Sequence, residues 1–190
     1  FACIAGYGLG IWSPSFLVRV HAMSLVDAGL WLGLIGVFGG TLGAVTGGLL
    51  VDRLARKDPR WQLRVPVIGL VIALPTQLAF VLWPETHRIG GPDGLPFALV
   101  FMGLSAVFAS FWIAPSYAAV QNLVPPHWRT QASALMLLAI NLLGLGLGPL
   151  VVGMLSDYFA YTGVNSIRWA LVVVLSTCIF GAWCYWRGSI

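Results

Sequence analysis

The sequence predicts an all-α membrane protein, and three observations support that prediction. Hydrophobic residues make up 59% of the 190 residues, whereas Asp, Glu, Lys and Arg together make up 8%. A soluble domain has about 25% charged residues, so this chain lacks the polar side chains that a water-exposed surface requires. Apolar runs of about twenty residues, the length of a membrane-crossing helix, alternate with short polar segments. No segment has the alternating pattern of a membrane β-barrel strand.

Six apolar runs are long enough to cross a membrane, and a helix is the conformation that satisfies their backbone groups in lipid. We expect the six spans at residues 1–20, 28–51, 65–83, 96–124, 131–155 and 167–186, forming one bundle over residues 1–190. The chain begins inside an apolar run, without a methionine or a basic leader. This start indicates a piece of a longer protein.

Basic residues are distributed unevenly between the two ends of the spans. Six crossings place the chain start, the second and fourth connections and the tail on one side. That side holds seven Arg and Lys residues, and the opposite side holds three. The positive-inside rule therefore predicts that the first side, including both ends of the chain, is cytoplasmic. Basic residues in such gaps report membrane orientation, so we expect no nucleic acid as a partner.

The segment after the second span, GGLLVDRLARKDPR at residues 47–60, concentrates charge. Basic residues at a helix C-terminus complement its partial negative charge, but a carboxylate there is unfavourable. Asp52 therefore requires another partner. Two partners are open: Arg56 one turn later, or the positive N-terminus of a different helix.

This segment resembles the G-x-x-x-D-R-x-G-R-R/K signature of the major facilitator superfamily. The matching residues are Gly48, Asp52, Arg53, Arg56 and Lys57, and Ala55 stands where the pattern usually has glycine. Members have twelve spans in two similar six-span halves, and the signature follows the second span of each half. Three further stretches, GYGLGIWSPSFLVRVHAMSL, AGLWLGLIGVFGGTLG and NLLGLGLGPLVVGMLSD, resemble the C-terminal half of spinster-type and related bacterial transporters.

The resemblance implies the C-terminal six-helix half of a twelve-helix fold, with the N-terminal half missing. It implies a secondary active transporter that works by alternating access, as a rocker-switch, in a bacterial inner membrane. The partners it implies are the N-terminal half, membrane lipids and a small-molecule substrate. In this family the signature Asp is thought to cap a helix of the opposite half, so Asp52 is a candidate conformational latch. A plain Asp52–Arg56 surface pair is the alternative.

Small residues and prolines mark places where helices pack closely or bend. Glycines at four-residue spacing allow two helices to approach closely in lipid, and a proline removes a backbone donor and kinks a helix. Bending at such places would suit two halves that rock, whereas tight packing without motion is the alternative. The residues assigned to packing or bending are Pro14, Gly39, Gly43, Gly47, Pro115, Gly148 and Pro149.

Polar and aromatic residues within the spans are the candidates for substrate contacts. The superfamily resemblance places the first, fourth and fifth spans around the cavity and the third, with Gln77, outside it. The candidates are Tyr7, Trp12, Ser110, Trp112, Tyr117, Gln121 and Asn141. Such a wall is aromatic, polar and uncharged, which favours an amphipathic or lipid-like organic solute. Alternatively, hydrogen bonds between helices use these groups.

Several other functions are disfavoured or left open. Asp, Glu, Lys and Arg are absent from the middle of every span, so any proton coupling would use residues of the missing half. His21, His87 and His127 are isolated in three loops, so we expect neither a metal site nor an enzyme, and no cofactor. Nothing resembles the filter of a channel. An organic anion or drug exporter of the same superfamily and a lipid flippase or scramblase stay open.

Overall fold

The structure is a computed structural model of the chain, and it describes residues 1–90 and 94–189. Six helical runs dominate it. The first three spans are single α-helices at Ala2–His21, Leu25–Ala55 and Trp61–Leu82. The fourth consists of Ala98–Ala109, a 3-10 turn at Ser110–Trp112, and Ile113–Asn122. The fifth consists of Arg129–Ala139, a π-helix at Ile140–Leu147, and Gly148–Tyr158. The sixth consists of Ser166–Leu175 and Thr177–Gly188.

Short 3-10 turns precede the fifth and sixth spans, at Pro126–Trp128 and Ala160–Asn165. Five of the six runs, the second to the sixth, are long and apolar enough to cross a membrane by length and composition. The first span has 20 residues and contains three glycines and two serines beside its apolar residues, which lower its hydrophobicity. The all-α membrane fold class predicted from the sequence is confirmed.

The second span is longer at both ends than the 28–51 expected from hydrophobicity. Its start is extended because the Ser24 hydroxyl oxygen accepts a hydrogen bond from the backbone N–H of Asp27, at 3.1 Å, as an N-cap. Its C-terminal end reaches Ala55, because polar residues continue a helix as readily as apolar ones. Asp52 therefore lies in the last turn of the helix and not in the loop that follows.

Contacts between connections show that the spans run alternately up and down. A two-stranded antiparallel hairpin, Arg88–Ile89 with Leu95–Pro96, lies between the third and fourth spans. Arg88 donates a hydrogen bond from this hairpin to the carbonyl oxygen of His21, at the end of the first span. The connections after the first and third spans therefore meet at one end of the bundle.

The start of the sixth span lies at the same end, where Arg168 Nη2 is 3.4 Å from Glu85 Oε1 of the third connection. At the opposite end, the side chain of Asn122 donates to Gln62 Oε1 at 3.4 Å, which links the end of the fourth span to the start of the third. This alternation agrees with six crossings of a bilayer.

The hydrophobic core lies between the first, third and sixth spans. Phe16 and Phe80 pack with their ring centroids 5.1 Å apart, and Ile167, Leu171 and Leu175 of the sixth span are fully buried beside them. The third and sixth spans are thus the most buried of the five longest runs, whereas the second and fifth are the least buried. The second and fifth spans leave long apolar faces exposed.

Glycines bring the second and fourth spans into backbone contact. A Cβ atom built on Gly43 would lie 2.0 Å from the carbonyl oxygen of Val107, and one built on Gly39 would lie 2.8 Å from Ala106 Cβ. Gly47 lies against the Phe111 ring, where a Cβ would be 3.1 Å from Cδ1. Only glycine permits this separation between the helices.

The first and fifth spans cross in a similar way. A Cβ atom on Gly148 would lie 2.7 Å from the carbonyl oxygen of Ile4, and one on Gly144 would lie 2.6 Å from Cδ2 of Tyr7. Trp12 reinforces the crossing, because its indole N–H donates to the carbonyl oxygen of Pro149 at 3.0 Å. The two crossings lie on either side of a cavity among the first five spans.

Candidate functional site

A cavity of about 430 Å³ lies among the first five spans. It is walled mainly by apolar and aromatic side chains, and every residue that lines it is uncharged. The lining residues include Cys3, Tyr7 and Gly10 of the first span, Gly36 and Gly40 of the second, Gln77 of the third, Ser105, Ser110, Trp112 and Tyr117 of the fourth, and Leu137 of the fifth.

Four of the seven residues proposed as substrate contacts line this cavity. They are Tyr7, Ser110, Trp112 and Tyr117. Tyr7 reaches the cavity because it packs against Gly144, where a larger residue could not be accommodated. The fourth span presents the other three from adjacent turns around its 3-10 segment. One space therefore joins aromatic and hydroxyl groups from two spans.

The other three candidates, Trp12, Gln121 and Asn141, are not among the residues that line this cavity. Trp12 donates to the fifth span, as described above. Gln121 Nε2 donates to Ser133 Oγ at 2.9 Å, joining the fourth and fifth spans. Asn141 Nδ2 donates to the carbonyl oxygen of Leu137, one turn earlier in its own helix, at 2.9 Å. These groups are used in helix contacts because a polar group in an apolar environment pairs with the nearest available partner.

Gln77 lines the cavity although the sequence argument placed the third span outside it. Its side chain is 5% exposed and belongs to the buried stripe that includes Leu70, Ala73 and Phe80. The sequence contained a signal, since a glutamine at the centre of an apolar span is costly unless it has a partner or a wet surface.

The polar groups of the wall include both acceptors and donors, since the hydroxyls of Tyr7 and Tyr117, the indole N–H of Trp112 and the amide N–H groups of Gln77 can donate. Ser105 donates its hydroxyl proton to the carbonyl oxygen of Met102 at 2.9 Å, and Ser110 donates to that of Ala106 at 2.8 Å. The lone pairs of both hydroxyl oxygens stay available. In the part of the chain that the structure describes, Gln77 Oε1 is buried without a hydrogen-bond partner.

The prolines proposed as bending points coincide with irregular helix in two of three cases. Pro115 follows the 3-10 turn at Ser110–Trp112, and Pro149 follows the π-helix at Ile140–Leu147. A proline cannot donate to the carbonyl four residues earlier, which leaves the preceding turn free to adopt another hydrogen-bond pattern. Pro14 lies within an α-helix without such an interruption.

The signature residues lie at the exposed end of the second span. The side chains of Asp52, Arg53, Arg56 and Lys57 are all exposed. Two salt bridges occur among the described residues, Arg64–Asp58 and Arg168–Glu85, and neither includes Asp52. A surface pair between Asp52 and Arg56 is therefore not formed in this structure. Gly48 has no atom of another element near the position of a Cβ atom, so packing within this chain does not require a glycine there.

Comparison with known proteins identifies the family. A model described as Major Facilitator Superfamily matches residues 1–145, which is more than half of the chain. The chain belongs to the Major Facilitator Superfamily. It is thus an integral membrane protein of a transporter family, as its apolar helices and the signature predicted.

Among three curated relatives of the chain, two have names that refer to transport. It is 39% identical over 192 residues to an MFS-type efflux pump of Mycolicibacterium smegmatis, a match that covers 100% of the chain and 42% of the relative. It is 28% identical to a putative metabolite transport protein of Haemophilus influenzae, covering 89% of the chain and 36% of the relative. It is 26% identical to the Drosophila melanogaster protein spinster, a match that covers 83% of the chain and 26% of the relative. The chain therefore spans less than half the length of these relatives.

Solved structures show the same fold. Two crystal structures of a bacterial homologue of the human lysosomal transporter Spinster match this chain over its whole length. The matched part is 45% of the solved chain in one structure and 46% in the other. The inward-facing unoccupied form has a TM-score of 0.75 at 24% identity, and the inward-facing occupied form 0.76 at 22%. The recognition of a superfamily member with spinster-like similarity is confirmed.

Proposed function

We propose that the complete protein is a secondary active transporter that moves a small amphipathic or lipid-like organic solute across the membrane by alternating access. The cavity is the observation that carries this proposal. Its wall is aromatic and apolar with a few polar groups and no charged residue, which is the composition of a site for a largely apolar ligand. A sugar site would contain more amides and carboxylates.

We infer that an N-terminal six-helix half completes the cavity, so that this chain is the C-terminal half. Two features support this. The second and fifth spans contribute to the cavity wall and are also the least buried of the long spans. The exposed side chains along them include Leu42 and Val45 on the second and Leu142 and Leu145 on the fifth. The length of the relatives leaves room for such a half.

The signature segment is proposed as a latch between the two halves. Asp52 is exposed at the C-terminal end of its helix, where the helix dipole disfavours a carboxylate, and no salt bridge of the described residues holds it. The positive N-terminus of a helix in the other half would stabilise it. Open space beside Gly48 would let that helix approach.

The latch is tested with Asp52→Asn in the complete transporter. The substitution keeps the size of the side chain and removes its charge, so the outward-facing population should fall. Distances between spin labels at the two cytoplasmic ends would report the populations, and Asp58→Asn, whose carboxylate accepts from Arg60 N–H and pairs with Arg64, is a matched control. Equal populations in the Asp52→Asn variant and the native protein would refute the latch.

Orientation and coupling are also proposed. The excess of basic residues places the signature end in the cytoplasm, and we propose a bacterial inner membrane with both ends of the chain inside. Since the spans described here hold no deep carboxylate, proton coupling would use residues of the other half.

A second candidate is a drug or organic-ion exporter of the same superfamily. The relative named an efflux pump, at 39% identity over the whole chain, favours it. The same aromatic cavity would accept an apolar drug. The two candidates differ in substrate and share the mechanism.

Purified complete protein in liposomes tests the function. Oleoyl-lysophosphatidylcholine represents the lipid-like solute and ethidium the drug, each measured with and without a pH gradient. If a probe accumulates in the liposomes against its own concentration gradient, active transport of that class of solute is supported. If the probe only reaches equal concentrations on both sides, the result indicates a flippase. Trp112→Ala, on the cavity wall, should slow transport, and Trp128→Ala, exposed in a connecting turn, should not. Movement of neither probe would contradict both candidates.

A further inference from the structure

We propose that a groove between the third and sixth spans binds an anionic phospholipid, a phosphodiester lipid whose headgroup carries no compensating positive charge. The groove has a volume of about 340 Å³ and is lined by Trp61, Arg64, Val67 and Ile68 of the third span and Trp186 of the sixth. It shares no lining residue with the transport cavity, which lies among the first five spans. The inference therefore goes beyond transport and concerns the surrounding membrane.

The residues of the groove follow the layers of a membrane interface. Trp61 is the first residue of the third span, and Trp186 lies in the last turn of the sixth. Ile68 lies two turns further into the third span, and Val71, which is 58% exposed, continues the same apolar face. Tryptophan is enriched at the level of lipid headgroups, and aliphatic side chains contact the acyl chains. A headgroup and its acyl chain would thus meet matching side chains in the correct order.

Packing of the two helix ends forms the groove. A Cβ atom built on Gly188 would lie 3.3 Å from Leu63 Cδ1, so the end of the sixth span rests on the start of the third. This contact keeps Trp186 and Arg64 on one wall each. The headgroup level is therefore built by tertiary contacts between two spans.

Two arginines make this level basic. Arg60 is the N-cap residue of the third span, and Arg64 follows one turn later on the same face. The guanidinium carbon of Arg64 lies over the Trp61 ring, 5.7 Å from its centroid, and the side chain stays 31% exposed. A guanidinium that stacks on an aromatic ring still presents N–H groups at its edge, and a phosphate can accept two parallel hydrogen bonds there.

One carboxylate competes with a phosphate for these arginines. Asp58 Oδ2 lies 3.6 Å from Arg64 Nη1, whereas a charge-assisted hydrogen bond measures about 2.7–2.9 Å. The other oxygen, Oδ1, accepts from the backbone N–H of Arg60 at 3.0 Å. Because the pair with Arg64 is long and exposed, it is weak. A phosphate can therefore bind the guanidinium of Arg64 in its place.

The charge of the preceding segment favours the same ligand. Four basic side chains between residues 53 and 60 are exposed, and they are Arg53, Arg56, Lys57 and Arg60. Basic clusters at the end of a membrane helix attract anionic headgroups. The groove adds an apolar floor to that attraction, which a free inorganic anion would not use. Charge and shape together favour an anionic lipid.

The position of the groove separates its occupant from the other half of the transporter. The second and fifth spans carry the exposed apolar faces that we assign to contact with that half. The groove opens instead between the third and sixth spans. We therefore expect the surrounding bilayer to supply the occupant.

Native mass spectrometry of the complete transporter in detergent measures the binding. The protein is titrated with dioleoyl-phosphatidylglycerol or dioleoyl-phosphatidylcholine, which have the same acyl chains and differ in net charge. The ratio of the two dissociation constants for the first bound lipid gives the preference for the anionic lipid. One arginine contributes about fivefold, so the two arginines should give a preference of roughly twentyfold. An excess of inorganic phosphate should not displace phosphatidylglycerol.

Variants assign the preference to the groove. Arg64→Gln and Arg60→Gln should each lower it about fivefold, and the double variant should bind both lipids equally within about twofold. Asp58→Asn should raise it, because the competing carboxylate loses its charge. Arg129→Gln removes an exposed arginine at the start of the fifth span and should leave the preference unchanged. Trp112→Ala, on the wall of the transport cavity, should also leave it unchanged.

Three results would overturn the inference. The first is equal binding of the two lipids by the native protein, and the second is an unchanged preference in the folded double variant. The third is a preference that Trp112→Ala removes and the double variant keeps, which would place the lipid in the transport cavity. Displacement of phosphatidylglycerol by inorganic phosphate would refute a lipid site and indicate a general anion site.

Discussion

Two helix crossings frame the cavity, that of the second with the fourth span and that of the first with the fifth. Both depend on close backbone contact at glycine, but only one of the two glycine-bearing helices is a regular α-helix throughout. At the second–fourth crossing, Gly43 lies on a continuous α-helix, Leu25–Ala55. At the first–fifth crossing, Gly148 directly follows the π-helix Ile140–Leu147. Close contact at glycine sets the distance between two helices in both cases. The hydrogen-bond pattern of the backbone decides whether a helix can also bend.

The fourth span is irregular as well, but its irregular segment is held by packing. The 3-10 turn Ser110–Trp112 lies against the second span, since a Cβ atom on Gly43 would approach Ser110 Cβ to 2.9 Å and Gly47 contacts Phe111. The π-helix of the fifth span, by contrast, leaves all four of its leucine side chains exposed. We therefore expect the second–fourth crossing to be rigid and the first–fifth crossing to be the one where the wall changes shape.

Gly43→Ala should lower the free energy of unfolding more than any other substitution at the two crossings. The new methyl group would lie 2.0 Å from the carbonyl oxygen of Val107, so both backbones must separate. We expect a loss of about 3 kcal/mol in the free energy of unfolding, at the upper end of overpacking costs, measured by thermal melting of the complete transporter. Gly33→Ala on the same span, where no atom lies near the new methyl group, is the control. Equal melting of the two variants would show that the crossing is not tight.

Gly148→Ala should have a smaller effect. The methyl group would lie 2.7 Å from the carbonyl oxygen of Ile4, and the adjacent π-helix can absorb part of the shift. We expect a loss of about 2 kcal/mol in the same melting assay, with Gly146→Ala as the control because its nearest contact is an ordinary 3.9 Å. A loss equal to or greater than that of Gly43→Ala would contradict the assignment of rigidity to the second–fourth crossing.

Pro149→Ala should have the smallest effect on the free energy of unfolding, but it should change the hydrogen exchange of the fifth span. Alanine restores an N–H that can donate to the carbonyl of Leu145, which favours regular α-helix, and the Pro149 carbonyl that accepts from Trp12 is retained. We expect a stability change under about 1 kcal/mol, slower hydrogen exchange of the amides at residues 140–149, and slower transport. Pro75→Ala, in the uninterrupted helix of the third span, should leave exchange in the fifth span unchanged. Unaltered exchange there would show that Pro149 does not cause the irregularity.

Much of the fold could be predicted from the sequence, because membrane helices are specified by hydrophobicity along the chain. The ends of spans were less predictable. The second span begins at the Ser24 cap, which hydrophobicity does not register, and it carries Asp52 inside its last turn. Both features depend on backbone hydrogen bonds, which polar residues form as well as apolar ones do.

The cavity was predictable only in part. Tyr7 and Tyr117 were expected on its wall and lie there. Asn141 was expected from its depth to face the cavity, but its side chain donates a hydrogen bond to a carbonyl oxygen of its own helix. Gln77 lines the cavity, although the third span was expected to lie outside it. Depth in the membrane follows from position in the chain, but the direction of a side chain depends on which neighbouring helix supplies a partner.

The sequence by itself determined that apolar helices cross a membrane, that basic residues concentrate at one end, and that a superfamily signature follows the second span. These properties depend on residues close together in the chain. Only the tertiary structure decided that glycines of the second and fifth spans meet the fourth and first, and that Gln77 shares a cavity with Tyr7. Those arrangements depend on contacts between residues distant in the chain, where packing of the spans decides which polar groups are paired and which face the cavity.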